Sequence, residues 1–317
     1  MIKLEKEDIR NAEEVRYAAI DELIQLRRTH DKIVFVDADL SEPSGSIRFK
    51  KEYPSHFINV GIMEAHMVGF AAGLCIGGYQ PFVHSFAPFA SRRSFDQSVI
   101  AGAYSRNAIT LMATDPGLCA QYNGGTHTTL EDIGMFRSLS DTLVLDIADT
   151  TQVRWAMKFR VENPQDLAYI RYPRRPLRKI YASGSTFRLG QFPIVHEGKD
   201  ITVFASGIMT SLALDAAETL KGEGIGVQVV DCFSISHPDV DTIVKEAESK
   251  RPLLALDNHN VRGGLATMIA DVLVTHCPAK LHRMGADKFG QVGTLKELLG
   301  VYGLDADHIV KKVKSLI

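Results

Sequence analysis

The chain has 317 residues, enough for two domains of average size, and 36 Lys and Arg against 38 Asp and Glu leave a net charge of −2. Without a long run of like charge, that balance excludes a nucleic-acid or membrane-surface role, and no apolar run approaches the roughly 18 residues of a membrane span. The four cysteines (Cys75, Cys119, Cys232, Cys277) are scattered with no CxxC spacing, so they read as thiols of a reducing cytoplasm, not as a disulfide framework or zinc site.

The start, MIKLEKEDIRNAEEVR, is charged and has no apolar core, so no secretory signal is expected and a cytoplasmic location is. Apolar positions at Ile9, Val15, Ala18, Ala19, Leu23 and Leu26 predict an amphipathic helix within residues 7–28. KIVFVDADL predicts a buried parallel strand, and residues 41–46 a turn-rich loop at its carboxyl end, where open α/β sheets place ligands. Next come a short strand at Phe57–Val60, a turn at Gly61, a helix from Glu64 to Leu74, a Gly77–Gly78 turn and a strand from Pro81 to Phe86. Small residues in that helix (Gly69, Ala71, Ala72, Gly73) would let a backbone or flat ligand come close.

Helix is then predicted for 96–105, strand for 108–113, and loop for the glycine-rich 115–129. Helix follows at 130–138, strand at 142–147, a helix over 150–162 capped by Thr150 or Thr151, and strand at 167–170. Residues 173–190, rich in proline and basic residues, read as a linker. Beyond it, ITVFASG, VQVVDCFS and PLLALDN read as strands. Helices are expected at 211–224, 240–249 and 266–274, with a helical pair in the tail. The alternation predicts an α/β chain of two doubly wound domains, residues 1–180 and 190–317.

The runs NVGIMEAHMVGFAAGL, HSFAPF and GGTHTTLEDIGMFRSL together resemble the pyrimidine-binding domain of the transketolase family of thiamine diphosphate enzymes. HNVRGGL is similar to a run in that family's C-terminal domain, so the resemblance covers nearly the whole chain. Taken alone, Glu64 is either a first-turn acid favoured by the helix dipole or a buried acid aimed at a ligand. The resemblance implies the second: a dry carboxyl hydrogen-bonded to the pyrimidine ring nitrogen of thiamine diphosphate. Phe86 and Phe89 read by themselves as core aromatics; the resemblance implies that they flank the ring, Phe89 more closely, with Ile62 as a further cofactor contact. It implies that His127, on its glycine-rich loop, assists proton transfer, and that Asn123, where the family has an Asp, meets a substrate hydroxyl.

Arg171 in YIRYP is similar to an arginine that grips substrate phosphate, and Arg10 and Ser44 fall where the family has further phosphate contacts. Arg92 stands in place of a Tyr and Thr114 in place of a His. With Asn123, these departures suggest a substrate unlike the common pentose phosphates; a branched or sulfonated sugar fits.

The family also needs a Gly-Asp-Gly turn and an Asn for diphosphate and Mg²⁺, and this sequence has no Gly-Asp-Gly. The resemblance therefore implies a split transketolase, with this chain as its C-terminal subunit. An N-terminal diphosphate-binding partner would supply the Mg²⁺ ligands in an α2β2 assembly, and no metal ligand is assigned here. Two other readings stay open: the β subunit of a 2-oxo acid dehydrogenase, and a non-catalytic scaffold homologue.

Overall fold

A computed structural model describes residues 2–10 and 13–317. The first unit contains α1 (Val15–Arg27), β1 (Ile33–Asp37), α2 (Ser41–Ser44), α3 (Ile47–Glu52), β2 (Phe57–Asn59), α4 (Glu64–Ile76) and β3 (Gln80–Phe86). It continues with α5 (Phe95–Gln97), β4 (Thr110–Thr114), α6 (Asp132–Arg137), β5 (Leu143–Asp146), α7 (Thr150–Glu162) and β6 (Ala168–Tyr172). Its six strands are all parallel, in the order β2-β1-β3-β4-β6-β5. The order reverses direction between β1 and β3, and a crevice opens at the carboxyl ends of strands at such a switch point.

The second unit contains β7 (Ile194–His196), β8 (Ile201–Ala205), α8 (Ile208–Lys221), β9 (Val227–Asp231), α9 (Val240–Glu248), β10 (Leu253–Asn260), α10 (Leu265–His276), β11 (Leu281–Ala286), α11 (Leu295–Tyr302) and α12 (Ala306–Lys314). Its order is β11-β10-β8-β9-β7, parallel except for β7. The α/β alternation and both sheets agree with the expected fold class. The short strands β7 and β11 carry no apolar run long enough to announce them.

Local chemistry moves several boundaries. The first helix begins only at Val15, because residues 3–9 run beside the linker instead: Glu5 N–H donates to Ile180 O at 2.8 Å and Lys179 N–H to Ile9 O at 2.8 Å. The 41–46 stretch is a helical turn, closed at Gly45 with φ +77°, not an open loop. The buried Asp37 carboxylate organises it, accepting from Leu40 N–H, from Ser46 Oγ at 3.1 Å and from Ser44 Oγ at 3.4 Å. Asp149, rather than Thr150 or Thr151, caps α7 by accepting from Gln152 N–H at 2.8 Å. On α4 the small residues do not share a face: Ala71 and Ala72 are buried, while Gly69 and Gly73 are exposed.

The expected helix at 96–105 is a widened π-type coil over Ser98–Tyr104, and Phe89–Arg93 forms a similar turn just before it. Serines account for the widening of the first turn. Ser91 Oγ donates to Ala87 O at 2.6 Å and Ser94 Oγ to Ala90 O at 2.7 Å, competing with backbone donors for those carbonyls.

The linker is clamped into the fold. Ile180 and Tyr181 are buried and donate their N–H groups to Asp149 Oδ2 at 2.9 and 2.8 Å. Tyr181 Oη donates to Asp231 Oδ2 at 2.5 Å, and Gln152 Nε2 reaches the same oxygen at 2.9 Å. Burial pushes the Asp231 carboxyl up to about 7, against the hydrogen bonds from Tyr181, Gln152 and Thr210, and burial pushes Asp149 up to about 6. Both acids therefore keep their protons in the folded state at pH values where the unfolded chain has released them. Stability falls as pH rises from about 4 through these values, by about 1.4 kcal/mol for each tenfold gain in proton affinity on folding. Asp231→Asn, a neutral isostere, is expected to flatten the drop in melting temperature between pH 5 and pH 7. Melting curves of wild type and variant that fall in parallel over that range would refute the assignment.

Candidate active site

The switch-point crevice collects side chains from four segments. Glu64 opens α4 right after the Gly61 turn (φ +76°), which places its carboxyl under the carboxyl end of β3. It is buried, and Oε1 accepts from Ser85 Oγ at 3.0 Å. Beside it, the widened turn at 89–93 aims Phe89 and Arg93 at the same point. Arg93 Nη1 lies 3.3 and 3.2 Å from the two Glu64 oxygens, and its Cζ sits 3.9 Å from the Phe89 ring centroid.

The aromatic platform continues outward. Phe89 meets His127 edge-on at 4.9 Å, and Phe86 lies 6.3 Å from Phe89 and 6.2 Å from His127. The His127 loop is tied down by Arg92, whose guanidinium donates to Thr126 O at 3.0 Å, Thr128 O at 3.3 Å and Glu131 Oε1 at 2.9 Å. His127 Nδ1 is 3.0 Å from Thr126 Oγ1. Burial, with the nearby charges of Arg93 and Arg92, holds the imidazole below its ordinary pKa.

At the far end Arg174 lies over Phe86, Cζ to centroid 4.7 Å, and donates through Nε to Asp115 Oδ2 at 2.6 Å. Phe86, Asp115, Ala120, Asn123, His127 and Arg174 line a narrow hollow there, too tight as it stands for a water molecule. Asn123 is exposed there, its amide donating to Ala120 O at 3.0 Å. Ile62 and Met63 form an exposed apolar step just before Glu64, 69 % and 53 % accessible.

The structure thus brings together Glu64, Phe86, Phe89, His127 and Asn123, with Ile62 on the adjoining rim. It does not bring Arg171, Arg10 or Ser44 to them as free groups. Arg171 is wholly buried: Nη1 donates to Asp132 Oδ1 at 2.8 Å, Nη2 to Asn258 O at 2.9 Å, and Nε lies 3.2 Å from Asp146 Oδ1. Burial opposes its charge, but Asp132 and Asp146 outweigh it and hold the guanidinium above its ordinary pKa. With its fork committed to those partners, Arg171 is a structural cation and not a phosphate clamp. Arg10 pairs with Asp8 and with Asp215 of α8 at 2.9 Å, on the second unit. The Ser44 hydroxyl is buried in the Asp37 network, 2.8 Å from Ser46 Oγ. Thr114 is buried too, 3.0 Å from His84 Nε2.

Arg174, three residues after Arg171, is not among the residues expected from the sequence, and neither is Arg16. Arg10 and Arg16 are each followed by x-Ala, a signal that fits Arg16 as well as Arg10. In the fold Arg16 N–H donates to Arg174 O, and its guanidinium reaches Pro43 O at 2.7 Å beside α2. Arg93 had no motif to announce it.

A buried carboxyl and two neighbouring aromatic rings thus lie at the switch point of one doubly wound sheet, and a second α/β sheet follows. Comparison with known proteins makes this specific. Residues 13–179 match the transketolase pyrimidine-binding domain and residues 190–309 the transketolase C-terminal domain. The 6-deoxy-6-sulfo-D-fructose transketolase subunit SqwH of Clostridium sp. (strain MSTE9) is 38% identical over 94% of this chain and 92% of its own length. Transketolase of Rattus norvegicus is 33% identical over 93% of this chain but only 48% of its own length, so the chain spans about half of that protein. A solved structure described as a split gene transketolase, inactive beta4 tetramer, superposes with a TM-score of 0.88 at 33% identity, over 96% of this chain and 98% of its own. The chain belongs to the transketolase family, which implies dependence on thiamine diphosphate.

The residues present fit the pyrimidine half of that cofactor: a buried carboxyl for the ring nitrogen, the Phe89 face for stacking, and exposed Ile62 and Met63 for apolar cover. Among the described residues no group of three or more His, Cys, Asp or Glu is arranged to hold a metal ion, and no helix is long and apolar enough to cross a membrane.

Arg92→Ala is expected to speed amide exchange at residues 124–128 while costing no more than about 1 kcal/mol of global stability, because the arginine is exposed. Hydrogen-exchange mass spectrometry checks this. Unchanged exchange in the loop would mean that it holds its shape without Arg92.

Proposed function

We propose that this chain is the C-terminal subunit of a split transketolase that moves a two-carbon ketol unit from an anionic ketose to an aldose acceptor. The observation that carries the reading is the buried Glu64 carboxyl beside the Phe89 platform, within reach of the His127 loop. Split organisation is supported by the near full-length matches to a transketolase subunit and to a split gene transketolase of solved structure. The partner would be an N-terminal diphosphate-binding chain that supplies the Mg²⁺ ligands, in a cytoplasmic α2β2 assembly. Residues 1–180 would form the ring-binding domain and 190–317 the C-terminal one.

Thiamine diphosphate, when bound, supplies the nucleophilic carbon and the electron sink for carbon–carbon cleavage. Glu64 holds a proton at the pyrimidine nitrogen, and Ser85 fixes the carboxyl by donating to Oε1. Phe89 orients the ring, with Phe86 behind it, while Ile62 and Met63 exclude water once the partner covers them. With Nδ1 beside Thr126, His127 presents Nε2 to a substrate hydroxyl, and its lowered pKa keeps it a neutral proton acceptor near pH 7.

The anionic tail is assigned to Arg174, with Arg16 behind it, in place of Arg171 and Arg10. Arg174 combines a guanidinium fork with a position on the hollow that Asn123 and His127 also line. A sulfonated sugar is the favoured substrate class. A sulfonate carries a single negative charge where a phosphate dianion carries two, so the one guanidinium of Arg174 matches it. The likeness to a subunit named for 6-deoxy-6-sulfo-D-fructose points the same way.

The test is a ketol-transfer assay of this chain with the protein of a neighbouring gene, thiamine diphosphate and Mg²⁺, over a panel of phosphorylated and sulfonated ketoses. Glu64→Gln is expected to lower kcat at least about 100-fold with the fold intact. Arg174→Ala is expected to raise KM for the anionic ketose by about tenfold or more, the loss of a charged hydrogen bond, with a smaller effect on kcat. Full activity of Glu64→Gln would refute the ring-nitrogen role. An unchanged KM in Arg174→Ala would move the anion site elsewhere.

A further inference from the structure

Arg93 has no place in the chemistry just described, yet it touches both the acid and the ring assigned to the cofactor. It makes two contacts at once: a cation–π contact with Phe89 at 3.9 Å, and hydrogen bonds of 3.3 and 3.2 Å to the two Glu64 oxygens. Those are the face and the carboxyl on which the pyrimidine ring depends. A guanidinium is a planar N–C–N group with in-plane donors, close in outline to one edge of an aminopyrimidine. A cation resting on the carboxylate and a ring nitrogen that needs a proton from the same carboxyl cannot share it.

We propose that Arg93 is a resident competitor for the pyrimidine site: its guanidinium fills the place between Phe89 and Glu64 until the cofactor displaces it, and so sets cofactor affinity. The assignment rests on the cofactor reading above. Displacement is feasible because the side chain is 48% accessible, while Glu64 is only 2% accessible, so the arginine swings outward and the acid stays. The widened turn supports this geometry. It carries Arg92 toward the His127 loop and Arg93 toward Glu64 from adjacent positions, so removing one arginine leaves the other's contacts in place.

The test compares the wild-type chain with Arg93→Ala and Arg93→Lys, each assembled with the diphosphate-binding partner and Mg²⁺, using thiamine diphosphate and its pyrimidine fragment, 4-amino-5-hydroxymethyl-2-methylpyrimidine, as probes. Calorimetry gives the affinity, and NMR titration of the His127 ring gives a readout independent of turnover. Arg93→Ala is expected to bind both probes about tenfold more tightly, the sum of an exposed ion pair and a cation–π contact. Its His127 pKa is expected to rise, since one of the charges that lowers it is gone. Arg93→Lys, which keeps charge but loses the plane, is expected to bind nearly as tightly as the alanine variant.

Equal affinity of all three proteins overturns the competitor and leaves the cofactor reading standing. Weaker binding by Arg93→Ala overturns it in favour of a direct cofactor contact. Wild-type affinity in Arg93→Lys alone overturns the planar mimic. Absence of binding to every protein, with circular dichroism unchanged, overturns the cofactor reading and the competitor together.

Discussion

The architecture depends on one buried cation. Arg171, at the carboxyl end of β6, ties Asp132 at the start of α6, Asp146 at the end of β5 and the Asn258 carbonyl of β10 into a single knot without solvent. Tyr169 adds a hydrogen bond to Asp132 at 2.8 Å, and Ser206 one to Asp146 at 2.7 Å. Breaking such a group by removing one partner strands a buried charge, typically a loss of about 3–5 kcal/mol. Together with the backbone hydrogen bonds from Asp146 N–H to Phe233 O and from Ile235 N–H to Val144 O, both 2.9 Å, it holds the two sheets in one register.

That register reaches the active-site groove. Asn258 also accepts from Leu118 N–H at 2.9 Å and donates to Pro116 O at 3.0 Å, so the second unit props the loop that leads to Asn123 and His127. Gly117 permits the approach: a Cβ there would lie 2.3 Å from Asn258 Oδ1, and its φ of +58° suits glycine. The C-terminal unit has a mechanical part in the site, although its side chains are absent from the aromatic platform.

How much of this could be read from sequence varied with the range of the cause. Most strands and helices were legible from apolar runs and turn residues, whereas Glu64, Phe86, Phe89 and His127 were grouped only by the resemblance of their runs to a known family. The burial of Arg171 was not legible, since β6 is buried on both faces and periodicity gives no side. What holds it there is Asp132, Asp146 and Asn258, distant in sequence. The Arg-x-Ala pattern fits Arg10 and Arg16 alike, and it does not contain the pairing of residues 3–9 with the linker or the ion pair of Arg10 with Asp215. Asp149 displaced the threonines as a cap because it also serves Ile180 and Tyr181, a demand no local pattern contains.

The widened turn at Phe89–Arg93 has an evolutionary consequence. In a regular helix each residue advances the side-chain direction by about 100°. Deleting a single residue from such a bulge would return the coil to ordinary pitch and swing either the preceding or the following side chains by that angle. One codon lost or gained could thus re-aim Phe89 or the arginine pair, a change of groove chemistry that no series of point substitutions reproduces. Relatives with different sugars are therefore best compared by the length of this segment before the identity of its residues.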